Sequence, residues 1–136
     1  MRFMSTNVGS KKVGEKMTIY GMCVETEWPE ILEKIADGTT KLGVCPEETH
    51  MNLIGYKAID FVRMKKLEEV RIVTCDGSPH CVQLHYVGEE LRRLFGIEVR
   101  HYVIEKGKVY EVSPKAVRTS RYLSKIEKLL SKSSNE

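Results

Sequence analysis

Two short stretches of the sequence combine a cysteine with a histidine at the same spacing. Residues 45–50 read Cys-Pro-Glu-Glu-Thr-His, and residues 75–80 read Cys-Asp-Gly-Ser-Pro-His. Each stretch follows an apolar run that is typical of a β-strand and precedes a segment with helical periodicity. Thiol and imidazole groups carry metal, nucleophilic and redox chemistry near neutral pH. The repeat therefore predicts a site at the edge of a sheet where strands end and helices begin.

Metal binding is the first chemistry open to these residues. If the two strands are neighbours in a parallel sheet, both loops lie at the same edge, since adjacent strands are about 4.8 Å apart. Two thiolates and two imidazoles then form a tetrahedral set for zinc or another thiophilic metal. The spacing differs from the C-x-x-C of zinc fingers. The metal ligands predicted on this basis are Cys45, His50, Cys75 and His80.

Thiol chemistry, either redox exchange or sulfur transfer, is the second possibility. Ser78 suits the N-cap of the following helix, which places Cys81 in its first turn. Free backbone N–H groups at that helix end are expected to lower the pKa of the nearby thiols. The catalytic set predicted in this way is Cys75 as principal thiol, Cys81 as its partner and His80 as proton carrier, with Cys45 and His50 as the alternative partner and carrier.

Anion binding without covalent chemistry is the third possibility. The loop Asp76, Gly77 and Ser78 offers backbone N–H groups and a hydroxyl to a phosphate or carboxylate. The sequence has neither the G-x-G-x-x-G fingerprint nor the lysine of a P-loop. Of the three chemistries, we prefer thiol-based redox or sulfur chemistry, metal-assisted or not, with a small-molecule or protein thiol or sulfur partner.

The elements that must position these residues alternate between strands and helices. Strands are predicted over residues 17–24, 41–45, 70–75, 97–104 and 108–112. The alternation predicts a small doubly wound α/β fold with a mostly parallel sheet of about four or five strands, helices on both faces, and a C-terminal edge hairpin plus helix. In this arrangement Cys23 packs inside the first strand, and His101 lies at the surface of an edge strand.

The chain of 136 residues is long enough for one domain. Residues 1–16 lack apolar periodicity and are predicted to be a flexible basic tail, followed by a single α/β domain over 17–132 and a frayed C-terminus over 133–136. No apolar run approaches the roughly 20 residues that span a bilayer, and no signal-peptide h-region is present. We therefore expect a cytoplasmic protein without a membrane partner.

Charge and composition provide the rival interpretation. A formal net charge of +3 does not by itself indicate a polyanionic partner. The final helix nevertheless carries a basic stripe that predicts, as the alternative, a nucleic-acid-binding module; the stripe consists of Arg118, Arg121, Lys125, Lys128 and Lys132. Glutamine is almost absent, with Gln83 alone, while lysine, arginine and glutamate are plentiful, which is a pattern of thermostable proteins.

Overall fold

Five strands and six helices follow one another in the computed structural model, which describes residues 1–134. The strands are β1 (Lys16–Gly21), β2 (Thr40–Val44), β3 (Glu69–Cys75), β4 (Glu98–Glu105) and β5 (Lys108–Val112). The helices are α1 (Met22–Glu27), α2 (Pro29–Ile35), α3 (Met51–Lys65), α4 (Val82–Phe95), α5 (Pro114–Thr119) and α6 (Leu123–Ser134). Residues 135 and 136, which belong to the C-terminus predicted to fray, lie outside the described part.

The strands form one sheet in the order β2-β1-β3-β4-β5. All neighbouring pairs are parallel except β4 and β5, which pair antiparallel. The predicted mostly parallel α/β sheet with a C-terminal hairpin and helix is therefore confirmed. One premise of the site prediction is wrong, because β1 lies between β2 and β3 and these two strands are not neighbours. The chain runs from β1 to one edge and then crosses back to β3, which makes the gap between β1 and β3 the topological switch point.

Each face of the sheet has its own apolar core, because alternate side chains of a strand point to opposite faces. Ile19 and Ile72 are paired across β1 and β3 and belong to the core that α3 and α4 cover. Tyr20 and Val73 are the next pair and belong to the core under α1 and α2. All four side chains are buried. The helices therefore cover both faces of the central strands.

The N-terminal segment differs from the predicted flexible tail. Phe3 is buried against Phe61 of α3, with ring centroids 5.3 Å apart. The backbone N–H of Phe3 donates a hydrogen bond to the carbonyl of Gly43 in β2, and Val13 is buried in the same core. The sequence pattern missed this packing because isolated apolar residues in a polar segment have no period to detect.

Two of the element boundaries that differ from the prediction concern the site. β1 ends at Gly21, so Cys23 lies in α1 at the edge of the sheet and not within a strand. α4 begins at Val82 with Cys81 at its N-cap, so Ser78 is not the N-cap of this helix. Ser78 still accepts a hydrogen bond from the Cys81 N–H at 3.3 Å, in a turn that precedes the helix.

Gly88 allows α4 to lie close to the sheet. A methyl group on its Cα would lie 3.0 Å from Ile72 Cγ1 and 3.1 Å from His101 Cε1 and Val99 Cγ1. Gly88→Ala is expected to lower the free energy of unfolding by about 1–3 kcal/mol through overpacking, measured by urea denaturation. Gly55→Ala on α3 is the matched control, because its methyl would meet no atom closer than 4.0 Å. Equal losses in the two variants would refute the close-approach explanation.

Candidate functional site

Three cysteines converge at the switch point between β1 and β3. Cys23 lies in α1 directly after β1, Cys75 is the last residue of β3, and Cys81 is the N-cap of α4. A methyl group on Gly21 would lie 3.6 Å from Cys81 Sγ and 3.7 Å from Cys23 Sγ, so both sulfurs flank this glycine. α1 packs against β3, and the nearby Cys23 thiol contributes to the raised pKa of Cys75. All four cysteines of the chain are free thiols. We call Cys23, Cys75 and Cys81 the thiol cluster.

The surroundings of the thiol cluster favour the protonated form of Cys75 and Cys81. Burial raises the pKa of Cys75 to about 12, and the hydrogen bond with Cys23 adds to the rise. Burial also raises the pKa of Cys81, although the hydrogen bond with Ser78 acts in the opposite direction. The predicted lowering of both pKa values is therefore wrong, because desolvation of a thiolate outweighs the backbone N–H groups near it. Cys23 is the exposed member of the cluster.

The predicted metal ligands are not assembled into a site. The intervening strand β1 separates the ends of β2 and β3 by about two strand spacings, roughly 10 Å. Within residues 1–134, no group of three or more His, Cys, Asp or Glu side chains is arranged to hold a metal ion. The set Cys45, His50, Cys75 and His80 therefore does not form the expected site for zinc or another thiophilic metal.

The two histidines of the repeat do share a cleft. α3 and α4 pack against each other, which brings their amino ends together. His50, the N-cap of α3, and His80, in the turn before α4, line a cleft of about 420 Å³ together with Glu47 and Gln83. Glu47 Oε1 lies 3.4 Å from His80 Nδ1, and both side chains are exposed. The repeat thus indicates neighbouring helices and not neighbouring strands.

The loop of residues 76–78 uses some of its polar groups within the chain. The Asp76 N–H donates to the carbonyl of Ile104 at 3.0 Å, and Ser78 Oγ is occupied by the Cys81 N–H. Gly77 has a φ of 101°, a conformation that favours glycine. The Asp76 N–H is therefore already used within the chain, whereas the Ser78 hydroxyl accepts a bond and keeps its own proton as a donor; the anion-binding role of this loop stays a prediction.

A chain of buried hydrogen bonds, which the sequence analysis did not identify, crosses from β3 to α4. Its distances are 2.8 Å from Thr74 Oγ1 to His85 Nε2, 2.9 Å between the Nδ1 atoms of His85 and His101, and 2.6 Å from His101 Nε2 to Glu89 Oε2. All four residues are buried. His101, which was expected at the surface, is 0 % exposed, because α4 covers β4 at this position. We call these four residues the buried polar chain.

The direction of each hydrogen bond in the buried polar chain follows from the charge state of its members. Burial is the largest influence on the pKa of both histidines; it lowers that of His85 to about 3 and also lowers that of His101. Two neutral imidazoles carry one ring proton each. Because the Glu89 carboxylate only accepts, His101 Nε2 donates to it, His85 Nδ1 donates to His101, and the Thr74 hydroxyl donates to His85.

Two arginines bind Glu89, which is the last residue of the buried polar chain. Arg92 Nε donates to Glu89 Oε2 at 3.1 Å, and an Arg118 guanidinium nitrogen of α5 donates to Glu89 Oε1 at 3.2 Å. Burial alone would raise the pKa of Glu89, but the hydrogen bond from His101 and the charge of Arg92 outweigh it, so the pKa is lowered. Among described residues, no buried side-chain nitrogen or oxygen lacks a partner. This Glu89 pairing joins α4, β4 and α5.

The architecture agrees with a family profile that the sequence matches. The profile of the Rossmann-like domain family matches residues 13–135, and the chain belongs to this family. Neither the curated proteins nor the solved structures contained a significant match. In the described part of the chain, every helix is too short or too polar to cross a membrane. A Rossmann-like fold defines an architecture and not an activity, so function must be argued from the site.

Proposed function

We propose that this protein is a dithiol redox protein in which Cys23 and Cys75 form a disulfide by exchange with an external disulfide. The supporting observation is the convergence of the thiol cluster at the switch point between β1 and β3, where open α/β sheets place their ligands. Cys23 is exposed and can meet a reagent, while Cys75 is partly buried and interacts with Cys23. This gives one thiol for entry and one for resolution.

The exchange takes place in two displacements. The Cys23 thiol loses its proton to solvent, and its sulfur attacks one sulfur of a disulfide R–S–S–R; a mixed disulfide forms and one R–S⁻ leaves. Cys75 then loses its proton and attacks Cys23 Sγ, which closes the intramolecular disulfide and releases the second R–S⁻. The two released thiolates take up two protons. The protein is oxidised by two electrons, and the external disulfide is reduced to two R–SH.

The raised pKa of Cys75 fits the resolving role. A thiol with a pKa of about 12 is protonated at neutral pH and does not attack external reagents readily. Once Cys23 carries a mixed disulfide, the high effective concentration of a neighbouring thiol favours closure. Cys81 is the second candidate resolving thiol, because it also interacts with Cys23. The proton-carrier roles predicted for His80 and His50 are not needed in this exchange, because the protons are released to solvent and both histidines lie in the cleft between α3 and α4.

Oxidation with glutathione disulfide tests the proposal. Incubation of the reduced protein is expected to remove two free thiols and to lower the intact mass by two hydrogen atoms, with a cross-link between the peptides that contain Cys23 and Cys75. Thiol counting under denaturing conditions and peptide mapping measure this result. Cys23→Ser is expected to abolish the cross-link.

Cys45→Ser is the matched control, since Cys45 has the same intermediate exposure as Cys75 and lies directly after the edge strand β2, outside the thiol cluster. This variant is expected to form the cross-link at the rate of the unmodified protein. Four free thiols after prolonged oxidation, or a cross-link that involves Cys45, would show that the thiol cluster is not a redox centre.

A further inference from the structure

The C-terminal helix α6 presents an apolar stripe to solvent. Leu123, Ile126 and Leu130 recur at three- and four-residue steps and therefore lie on one face. Leu123 is 81 % exposed and Leu130 is 60 % exposed, and Leu129 beside the stripe is 55 % exposed. A helix with this pattern normally buries its stripe against another element. Ile126 is partly buried, whereas Leu123 and Leu130 at the two ends of the stripe are mostly exposed in the described chain.

A second apolar surface is the groove between α3 and α4. Its volume is about 580 Å³, and the side chains along it are mostly apolar: Met51, Tyr56 and Ile59 from α3, and Tyr86, Leu91 and Leu94 from α4. Tyr56 and Leu94 are 71 % and 60 % exposed. No residue of α6 lines this groove. α6 has 12 residues and is about 18 Å long, which suits the 14-residue α4 of about 21 Å.

Hydrogen bonds hold the turn between α5 and α6. Ser120 Oγ donates to the Val117 carbonyl at 2.7 Å, and the Tyr122 N–H donates to the Thr119 carbonyl at 2.9 Å. Tyr86 at the groove wall bonds Ser120 Oγ at 3.1 Å. The turn that leads into α6 is therefore bonded to the wall of the groove, whereas α6 itself does not line the groove. A groove on a second copy can take α6 with this turn unchanged.

We propose that α6 of one copy docks in the α3–α4 groove of a second copy, and that the exchange is reciprocal. The charges beside the two apolar surfaces match in this arrangement. At 100° per residue, Lys125 borders the stripe on one side and Glu127 on the other. Glu90 of α4 and Arg121 of the turn between α5 and α6 line the groove. In the proposed dimer, Lys125 of one copy pairs with Glu90 of the other, and Glu127 pairs with Arg121.

Sedimentation velocity of the full chain, under reducing conditions over micromolar to submillimolar concentrations, tests the exchange. The unmodified protein is expected to show a monomer–dimer equilibrium. Leu130→Glu in α6 and Leu94→Glu in the groove are each expected to raise the dimer dissociation constant at least tenfold. Leu53→Glu is the matched control, because Leu53 is on α3, is 59 % exposed and does not line the groove. It should leave the dissociation constant unchanged.

A mixture of the two disrupted variants distinguishes reciprocal exchange from other dimers. Leu130→Glu retains an intact groove, and Leu94→Glu retains an intact α6, so an equimolar mixture is expected to form a heterodimer at concentrations at which each variant alone is monomeric. A charge exchange adds a second readout: Glu90→Lys weakens the dimer, and Lys125→Glu in the same chain restores it. Monomers at every concentration, or a dimer insensitive to Leu94→Glu, would overturn the proposal.

Discussion

Replacement of Glu89 by alanine is expected to lower the free energy of unfolding by about 3 kcal/mol. Its carboxylate accepts hydrogen bonds from His101, Arg92 and Arg118, and its side chain is only 5 % exposed. Loss of the carboxylate leaves the buried His101 Nε2 without an acceptor. Arg92 and Arg118 are 31 % and 50 % exposed, so water can solvate them, which keeps the loss near the lower end of the range for a broken buried ion pair.

Glu89→Gln separates charge from hydrogen bonding in this prediction. The amide oxygen of glutamine can still accept a hydrogen bond from His101 Nε2, while the charge that faces the two arginines is lost. The expected loss is about 1–2 kcal/mol, which is smaller than that of the alanine variant. Both values are measured by urea denaturation at neutral pH. If alanine and glutamine at this position gave equal stability, the acceptor of His101 would not matter and the account of the buried polar chain would fail.

The fold was accessible from the sequence because its elements are strongly patterned. The apolar run of β3 and the helical periodicity of α4 are both found where they were predicted, within a few residues. The alternation of strands and helices predicts a parallel sheet, because parallel strands require crossover connections. The order of the strands in the sheet could not be predicted in this way. The pattern of apolar residues within each strand is the same whether β1 lies beside β3 or at an edge, so the sequence contains no local signal that orders β2, β1 and β3.

This missing information explains the errors at the site. The metal prediction required β2 and β3 to be neighbours, and the insertion of β1 removes that condition. The same insertion brings Cys23 to the centre of the site, because α1 follows β1 at the switch point. The dipeptide that decides this is Gly21-Met22, where the strand becomes a helix without any loop. The expected extension of the strand to Val24 placed Cys23 in the core and hid its role.

The buried polar chain did leave a signal in the sequence. His85 and Glu89 are four residues apart on α4 and therefore share one face of it, next to the apolar stripe of Leu84 and Leu91. Two polar side chains that a helix buries require partners in the sheet. The neighbours of His101 in β4 face the other side of the sheet, so His101 itself faces α4. It is therefore such a partner once β4 is known to be an inner strand.

A decrease in pH from 7 to 4 is expected to destabilise the protein by about 3 kcal/mol through His85 alone. In the unfolded chain this histidine binds a proton below its ordinary pKa of 6.5, whereas the folded pKa is lowered to about 3 by burial. The unfolded state therefore binds more protons across this window, so stability is present above pH 6.5 and is lost as the pH falls. His101 and Glu89 have lowered pKa values as well and act in the same direction.

His85→Gln tests this pH dependence independently of the absolute stability. Glutamine retains one acceptor for the Thr74 hydroxyl and one donor for His101 but has no proton to gain in this range. The slope of the unfolding free energy against pH, between pH 6.5 and 4, is expected to become clearly shallower in this variant. His50→Gln is the control, because His50 lies in the open cleft outside the buried polar chain. Identical slopes in the unmodified protein and the His85 variant would mean that His85 also binds a proton in the folded state. A protonated His85 would donate from both ring nitrogens, which contradicts the hydrogen bond that it accepts from Thr74.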